Sequence, residues 1–152
     1  MWCGDATARE VLARLADWCG SLVKDLPDER RERLLNMEHG GMAEVLADVY
    51  AITGESKYLE YARLYSHHAL MDPLADGKDN LTGKHANTQV PKFIGFQRIH
   101  ELSGDARAGA AAAFFWQTVA KDRTWVNGGN STHEHFPEPK DMGKLIPDDG
   151  GP

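Results

Sequence analysis

The sequence is short of cysteine, of basic residues and of long apolar runs, and each shortage excludes a class of protein. Its two cysteines among 152 residues, Cys3 and Cys19, form no Cys-x-x-Cys pair, which disfavours a disulfide framework and a cysteine-pair metal or redox motif. Lysine and arginine number 17 against 23 acidic residues, and this net charge of −6 disfavours nucleic acid as a partner. The longest apolar run, residues 110–116, is far shorter than the ~20 residues of a membrane helix, so no membrane partner is expected.

The rest of the composition is that of a chain that folds. Hydrophobic residues make up 41% and charged residues 26%, unlike disordered acidic segments. A length of 152 residues corresponds to one domain, because a single core usually serves ~100–200 residues. The first residues hold no basic stretch followed by an apolar segment, so no secretory signal is indicated. The sequence assigns no compartment, since it is compatible with a cytoplasmic and with a secreted parent protein.

Apolar residues recur at intervals of three and four, which predicts an all-α fold. Five helices are predicted, from about Thr7 to Lys24, from Met42 to Gly54, from Ser56 to just before Pro73, from near Thr88 to Ser103, and through Ala110 to Val119. Gly54 suits a left-handed helix cap, and Pro91 is placed in the first turn of the fourth helix, where a missing amide costs little. Residues 72–84 and 123–152 have loop composition, so a loop-rich tail is expected from residue 123.

Two of the predicted helix pairs repeat each other. Residues 50–55 (YAITGE) align with residues 100–105 (HELSGD) at an offset of fifty residues. One hairpin cannot bury its own apolar stripe, so repeated αα-hairpins stack, either as an open solenoid or as a closed ring.

Three polar clusters lie at helix ends or in loops, where functional residues concentrate. They occupy residues 38–44, 85–89 and 127–136. Two interpretations are open for Glu44, which either belongs to a site or only complements the dipole of its helix. The second cluster is open in the same way, because its polar residues either face a ligand or include only an N-cap, Asn87 or Thr88, of the next helix. His133 and His135 would share one face of an extended segment, but a solvated loop is a better interpretation of this pair than zinc.

Other polar and aromatic side chains are given ordinary structural roles. We expect the stripe of Tyr58, Tyr61 and Tyr65 to pack in the core, because its spacing is that of a buried helix face. We expect His67, His68 and His100 to be partly exposed helix residues.

Three segments, taken together and in this order, resemble glycoside hydrolase family 127, the β-L-arabinofuranosidase-like family. They are EHGGMAEVLAD at residues 38–48, LTGKHANTQVPK at 81–92 and GGNSTHEHF at 128–136. The resemblance extends from about residue 34 to residue 139.

The resemblance implies an (α/α)6 barrel and retaining hydrolysis of terminal β-L-arabinofuranosides of plant-derived glycans, with a zinc-held cysteine thiolate as nucleophile and a glutamate as general acid/base. Glu134 is the position that matches the acid/base. His85 matches a residue that lines the sugar pocket. Gln89, His39 and Glu44 are further candidates for substrate binding.

The sequence departs from the family pattern at the zinc site. The family places a Glu-x-Cys segment and further cysteines after the Gly-Gly loop, whereas Cys3 and Cys19 precede the matched region. We therefore expect residues 1–152 to be a fragment of one catalytic domain that holds no metal itself, with zinc bound in the complete enzyme. The expected partners are a glycan substrate and the remainder of that domain.

The alternative from another class is a helical-repeat module that binds a protein without catalysis. Convergence of His85, Glu44 and Glu134 on one concavity would favour a sugar pocket, and a broad apolar groove along the helices would favour the module.

The isolated 152-residue chain is predicted to release no aryl alcohol from aryl β-L-arabinofuranosides and to bind no stoichiometric zinc. Absorbance assays and metal analysis of the purified chain measure both. Turnover that is abolished by Glu134→Gln would contradict the prediction.

Overall fold

The computed structural model describes residues 4–37 and 40–140, and these residues form seven α-helices and no β-strand. The helices are α1 (Ala6–Val23), α2 (Asp28–Met37), α3 (Met42–Thr53), α4 (Ser56–Leu64), α5 (His68–Ala75), α6 (Ala86–Ser103) and α7 (Ala106–Asp122). The predicted all-α class is confirmed, and α1, α3 and α7 lie where the periodicity predicts them. In this part of the chain, each helix is too short or too polar to cross a bilayer.

The first helix packs on a different face from the one its large apolar residues suggest. Four of these side chains are largely exposed: Val11, Leu15, Trp18 and Leu22. Its buried face is formed mainly by small residues, including Ala16, Cys19 and Gly20. A Cβ at Gly20 would lie 2.3 Å from the ring of Tyr61 on α4, so the two helices approach too closely there for a larger side chain. The spacing predicts one packed stripe, formed by Val11, Leu12, Leu15, Trp18, Cys19, Leu22 and Val23. Cys19 and Val23 are buried, but the packing predicted for the four exposed residues is wrong.

Helix α2 was not predicted, because most of its residues are charged and Leu35 is its buried residue. It is held by tertiary contacts rather than by an apolar stripe. The Glu32 carboxylate accepts hydrogen bonds from the backbone amides of His68 and Ala69 at 3.1 and 2.9 Å, and so caps the start of α5.

The predicted third helix is two helices, α4 and α5, and the expectation that it ends before Pro73 is wrong. Pro73 lies inside α5. A proline leaves the carbonyl four residues earlier without its usual donor. The side-chain amide of Asn80 donates to that carbonyl, Ala69 O, at 3.2 Å, which compensates for the missing bond.

Helix α6 begins at Ala86, so Pro91 lies in its interior rather than in its first turn. The backbone amide of Gly40 donates to Thr88 O at 3.3 Å beside this proline. A Cβ at Gly40 would lie 2.5 Å from the backbone nitrogen of Lys92, so this close approach requires glycine.

The internal repeat is visible in the helix caps and in the packing. Gly54 and Gly104 end α3 and α6 in the left-handed conformation, with φ of 75° and 73°. Helix α3 pairs with α4, α6 pairs with α7, and α3 packs along α6, so the two hairpins stack side by side. Apolar side chains of these helices, with those of α5, form one core.

Gly95→Ala is predicted to destabilise the fold by about 1–3 kcal/mol, because the new methyl group would lie 2.8 Å from Ala43 Cβ and 3.0 Å from the backbone nitrogen of Glu44. Urea denaturation measures the change. Gln97→Ala, at an exposed position of the same helix, serves as the control and is expected to stay within about 0.5 kcal/mol of wild type. A stabilised Gly95→Ala variant would show that α3 and α6 do not pack this closely.

Candidate active site

The loop that follows α7 returns to the start of α6 and pairs with it through backbone hydrogen bonds. Gly83 N donates to Phe136 O at 2.9 Å, Phe136 N donates to Lys84 O at 2.9 Å, and Ala86 N donates to Glu134 O at 2.7 Å. This pairing places Glu134 beside the first turn of α6, although 48 residues separate it from Ala86 along the chain.

Glu134 lies in a tight turn with an unusual backbone. Thr132 and His135 exchange two backbone hydrogen bonds, of 2.8 and 3.0 Å. The two residues between them, His133 and Glu134, have φ of 47° and 65°, in the left-handed region that favours glycine. The segment is therefore not extended, so the condition under which both histidines would share one face is not met, and both lie exposed in the loop. Such strain costs about 1 kcal/mol or more per residue, and strained residues cluster at functional sites.

His85 connects this turn to α6. Its Nδ1 accepts a hydrogen bond from Thr88 N at 3.3 Å, so His85 is the N-cap of α6, a role expected of Asn87 or Thr88. Since Nδ1 accepts, the neutral ring carries its proton on Nε2. Nε2 lies 3.1 Å from Glu134 Oε2 and donates to that carboxylate. The His135 ring packs edge-on against His85, with centroids 5.3 Å apart.

A buried arginine holds the base of the loop. Arg123, at the end of α7, is 1% exposed. Its guanidinium donates to Pro137 O, to Asp79 Oδ2 at 2.5 Å and to Thr82 Oγ1 at 3.1 Å. These bonds join both paired segments to α7, because Thr82 precedes one segment and Pro137 follows the other.

A surface pocket of about 360 Å³ opens beside the His85–Glu134 pair. Its lining residues are Asn36, Met37, His67, Gly83, Lys84, His85, Thr88 and Gln89. Gln89 is 6% exposed, and its Oε1 atom is buried without a hydrogen-bond partner. A buried acceptor of this kind is uncommon in a folded protein and is a candidate for binding a ligand.

The predicted site residues are only partly brought together. His85, Gln89 and Glu134 lie at the start of α6. The main chain of Glu44 packs against Gly95. Gly95 lies roughly 15 Å from His85 along α6, since a helix rises by about 1.5 Å per residue. Glu44 is accordingly not among the residues that line this pocket. His39 lies outside the described residues.

Two buried residues of the pocket region, His67 and Lys92, were not predicted. His67 is 4% exposed, so its expected partial exposure is wrong. The ammonium of Lys92, which is 3% exposed, donates to Leu35 O at 2.5 Å and to His67 Nδ1 at 3.2 Å. The sequence does hold a signal for Lys92, since it lies three residues after Gln89 and so on the same side of α6.

Burial and the nearby charge of Lys92 lower the pKa of His67 to about 4. The unfolded imidazole takes up a proton near pH 6.5, and the folded one does not until about pH 4. His67 therefore removes stability as the pH falls from about 6.5 to 4.

The described residues do not fit the zinc–thiolate group that the family resemblance implies. Among residues 4–37 and 40–140, no three His, Cys, Asp or Glu side chains are grouped to hold a metal ion. Burial raises the pKa of the Cys19 thiol, and Cys19 lies in the packed face of α1.

His85→Ala is predicted to destabilise the protein by about 1 kcal/mol, because α6 loses its N-cap acceptor. His85→Asn keeps an acceptor for Thr88 N, although its side chain cannot reach Glu134. Its free energy of unfolding is expected to lie within about 0.5 kcal/mol of the wild-type value. Urea denaturation compares the two variants. Equal losses of stability would show that capping is not what His85 contributes.

Comparison with known proteins bears on the whole chain rather than on the three segments alone. No curated protein matches the sequence significantly. The profile of the β-L-arabinofuranosidase GH127 catalytic domain matches residues 1–147, which is nearly the full 152 residues. The chain therefore belongs to the glycoside hydrolase family 127 catalytic-domain family.

Proposed function

We propose that this chain supplies the general acid/base of a retaining β-L-arabinofuranosidase, and that Glu134 is that residue. The observation that carries the proposal is the contact of 3.1 Å between Glu134 Oε2 and His85 Nε2 at the edge of a pocket with an unpaired polar atom. Two polar residues 49 positions apart meet here through backbone pairing, at the cost of a left-handed backbone at Glu134.

Glu134 suits a proton-transfer role because its carboxyl group is accessible. Its side chain is 58% exposed, so a ligand in the adjoining pocket can approach it. In the first step the carboxylic acid gives its proton to the glycosidic oxygen as the bond to the sugar breaks. In the second step the resulting carboxylate takes a proton from the water that releases the sugar.

His85 and Gln89 act on the position of the reactants. The Nε2–H group of His85 orients the Glu134 carboxylate, and the bond from Thr88 N fixes the imidazole tautomer that provides this donor. Gln89 Oε1 accepts a hydrogen bond from a hydroxyl group of the glycan substrate, which pairs an acceptor that is otherwise buried alone.

We also propose that the stacked hairpins are an arc of an (α/α)6 barrel. From residue 40 to residue 48, contacts with α6 move in order from Lys92 to Gly95 and Arg98. The repeat-related helices α3 and α6 thus run in the same direction side by side, which is the arrangement of inner helices in such a ring. The remainder of the catalytic domain would continue the ring and supply the zinc-held nucleophile.

One observation favours the alternative, a helical surface for a protein partner. An apolar groove of about 580 Å³ lies between α6 and α7. Its lining includes Ile94 and the largely exposed Trp116. A barrel would cover this groove with its next hairpin, whereas an interaction module would use it to bind another protein.

The test is Glu134→Gln in the product of the complete reading frame that encodes this chain. With alkyl β-L-arabinofuranosides, kcat/KM is expected to fall ~100-fold or more, because an alkoxide leaves poorly without a proton. With a nitrophenyl glycoside the decrease in kcat/KM should be smaller, since nitrophenolate leaves without protonation. Steady-state kinetics on both substrates measure the difference.

Glu138→Gln is the matched control, because Glu138 is an exposed carboxylate of the same loop. It should keep wild-type kinetics on both substrates. Wild-type activity of Glu134→Gln would exclude Glu134 as the acid/base, and equal losses with both leaving groups would contradict its role in protonating the departing oxygen.

A further inference from the structure

A second polar group lies at the pocket beside Glu134, where His67 and Gln89 line the cavity and Lys92 contacts His67. The family resemblance assigns no role to His67 or Lys92. The group consists of His67, Lys92 and Gln89, each at least nine-tenths buried. His67 precedes α5, and Lys92 and Gln89 lie on neighbouring turns of α6. The helices therefore bring together, beside one cavity, an imidazole, an ammonium group and an amide.

The hydrogen bond from Lys92 fixes the proton position of His67. An ammonium group only donates, so His67 Nδ1, 3.2 Å from Lys92 Nζ, must accept. The neutral ring consequently carries its hydrogen on Nε2. The Glu32 carboxylate lies near this nitrogen, but its Oε2 is 3.7 Å from Nε2, which is too far for a good hydrogen bond. Glu32 is already engaged by the backbone amides of α5.

Beside the same cavity lies a buried acceptor that lacks a donor. Gln89 Oε1 is buried and has no hydrogen-bond partner, although Gln89 and His67 both line the pocket. An unpaired buried acceptor costs stability, and a ligand that supplies a hydroxyl hydrogen recovers this cost. A hydroxyl group is both a donor and an acceptor, so it matches a surface that offers one N–H and one C=O group.

We infer that His67 is a further substrate-binding residue, whose Nε2–H donates to a hydroxyl oxygen of the glycoside. Gln89 Oε1 accepts a hydrogen bond from a hydroxyl group of the same glycoside. Lys92 is the positioning residue that holds the His67 tautomer. The inference rests on the proposed function, since it assigns the glycone hydroxyls to the pocket beside Glu134. It adds His67 and Lys92 to the residues that select the sugar.

The tautomer is tested on the 152-residue chain without any substrate. Long-range ¹H–¹⁵N correlation spectra should show His67 as the neutral Nε2–H form from pH 8 down to about pH 5, because its pKa lies at about 4. A ring that carries its proton on Nδ1, or one that is charged at pH 6, would overturn the inference whatever the activity of the protein.

Binding is tested by kinetics of the complete reading-frame product with an aryl β-L-arabinofuranoside. His67→Phe should raise KM about tenfold or more with a smaller change in kcat, because one hydrogen bond to the bound sugar is lost. His67→Gln places an amide N–H near the position of Nε2 and should recover most of that loss. His68→Gln, at the exposed neighbouring histidine, is the control and should keep wild-type KM.

The outcomes separate this inference from the proposed function. If Glu134→Gln abolishes turnover while His67→Phe and His67→Gln both keep wild-type KM, the role of His67 is wrong and that of Glu134 stands. If Glu134→Gln is fully active, the proposed function fails and the inference fails with it. If His67→Phe does not fold, His67→Gln is compared with His67→Ala. Equal increases of KM in these two variants would contradict a role for the Nε2 donor.

Discussion

Three backbone hydrogen bonds between residues 83–86 and residues 134–136 create the candidate site. They join the start of α6 to a loop about fifty residues later. Among the residues that the structure describes, neither segment is part of a β-strand. Without this pairing His85 would still cap α6, but Glu134 would have no fixed position. The buried guanidinium of Arg123 holds the two segments on the end of α7, and Phe136 packs edge-on against Phe115 from the core. The geometry of the candidate site therefore depends on tertiary packing at the end of the helix array, while the helices themselves supply the rigid frame.

Most of the fold could be predicted because its signals are local. Apolar spacing marks α1, α3 and α7, and the glycine caps at Gly54 and Gly104 mark the ends of repeated helices. The missed features depend on distant residues. Helix α2 has little apolar pattern and is held by contacts of Glu32 and Leu35, and α5 tolerates Pro73 because Asn80 supplies the donor that the proline lacks. The exposed large residues of α1 were misassigned because Gly20 lets its small face approach Tyr61.

The candidate site divides in the same way. Polar residues at helix ends drew attention to His85, Gln89 and Glu134, and the structure places all three at the start of α6. Glu44 lies elsewhere because α3 is displaced along α6, and no pattern within either helix specifies that displacement. His67 lies between α4 and α5, and its neighbours Glu32 and Lys92 come from α2 and α6. Its burial and its bond to Lys92 therefore could not be read from spacing. The left-handed backbone at Glu134 is likewise unusual for its residue type, and spacing along the sequence gives no sign of it.

The most direct measurement is a double-mutant cycle on kcat/KM with Glu134→Gln, His85→Asn and the combined variant. If His85 acts through the contact of 3.1 Å with Glu134, its substitution should matter little once Glu134 is gone. The combined variant should then retain about tenfold or more activity above the product of the two single effects, a coupling of more than about 1 kcal/mol. Strictly multiplicative losses would contradict the claim that these two residues form one catalytic unit.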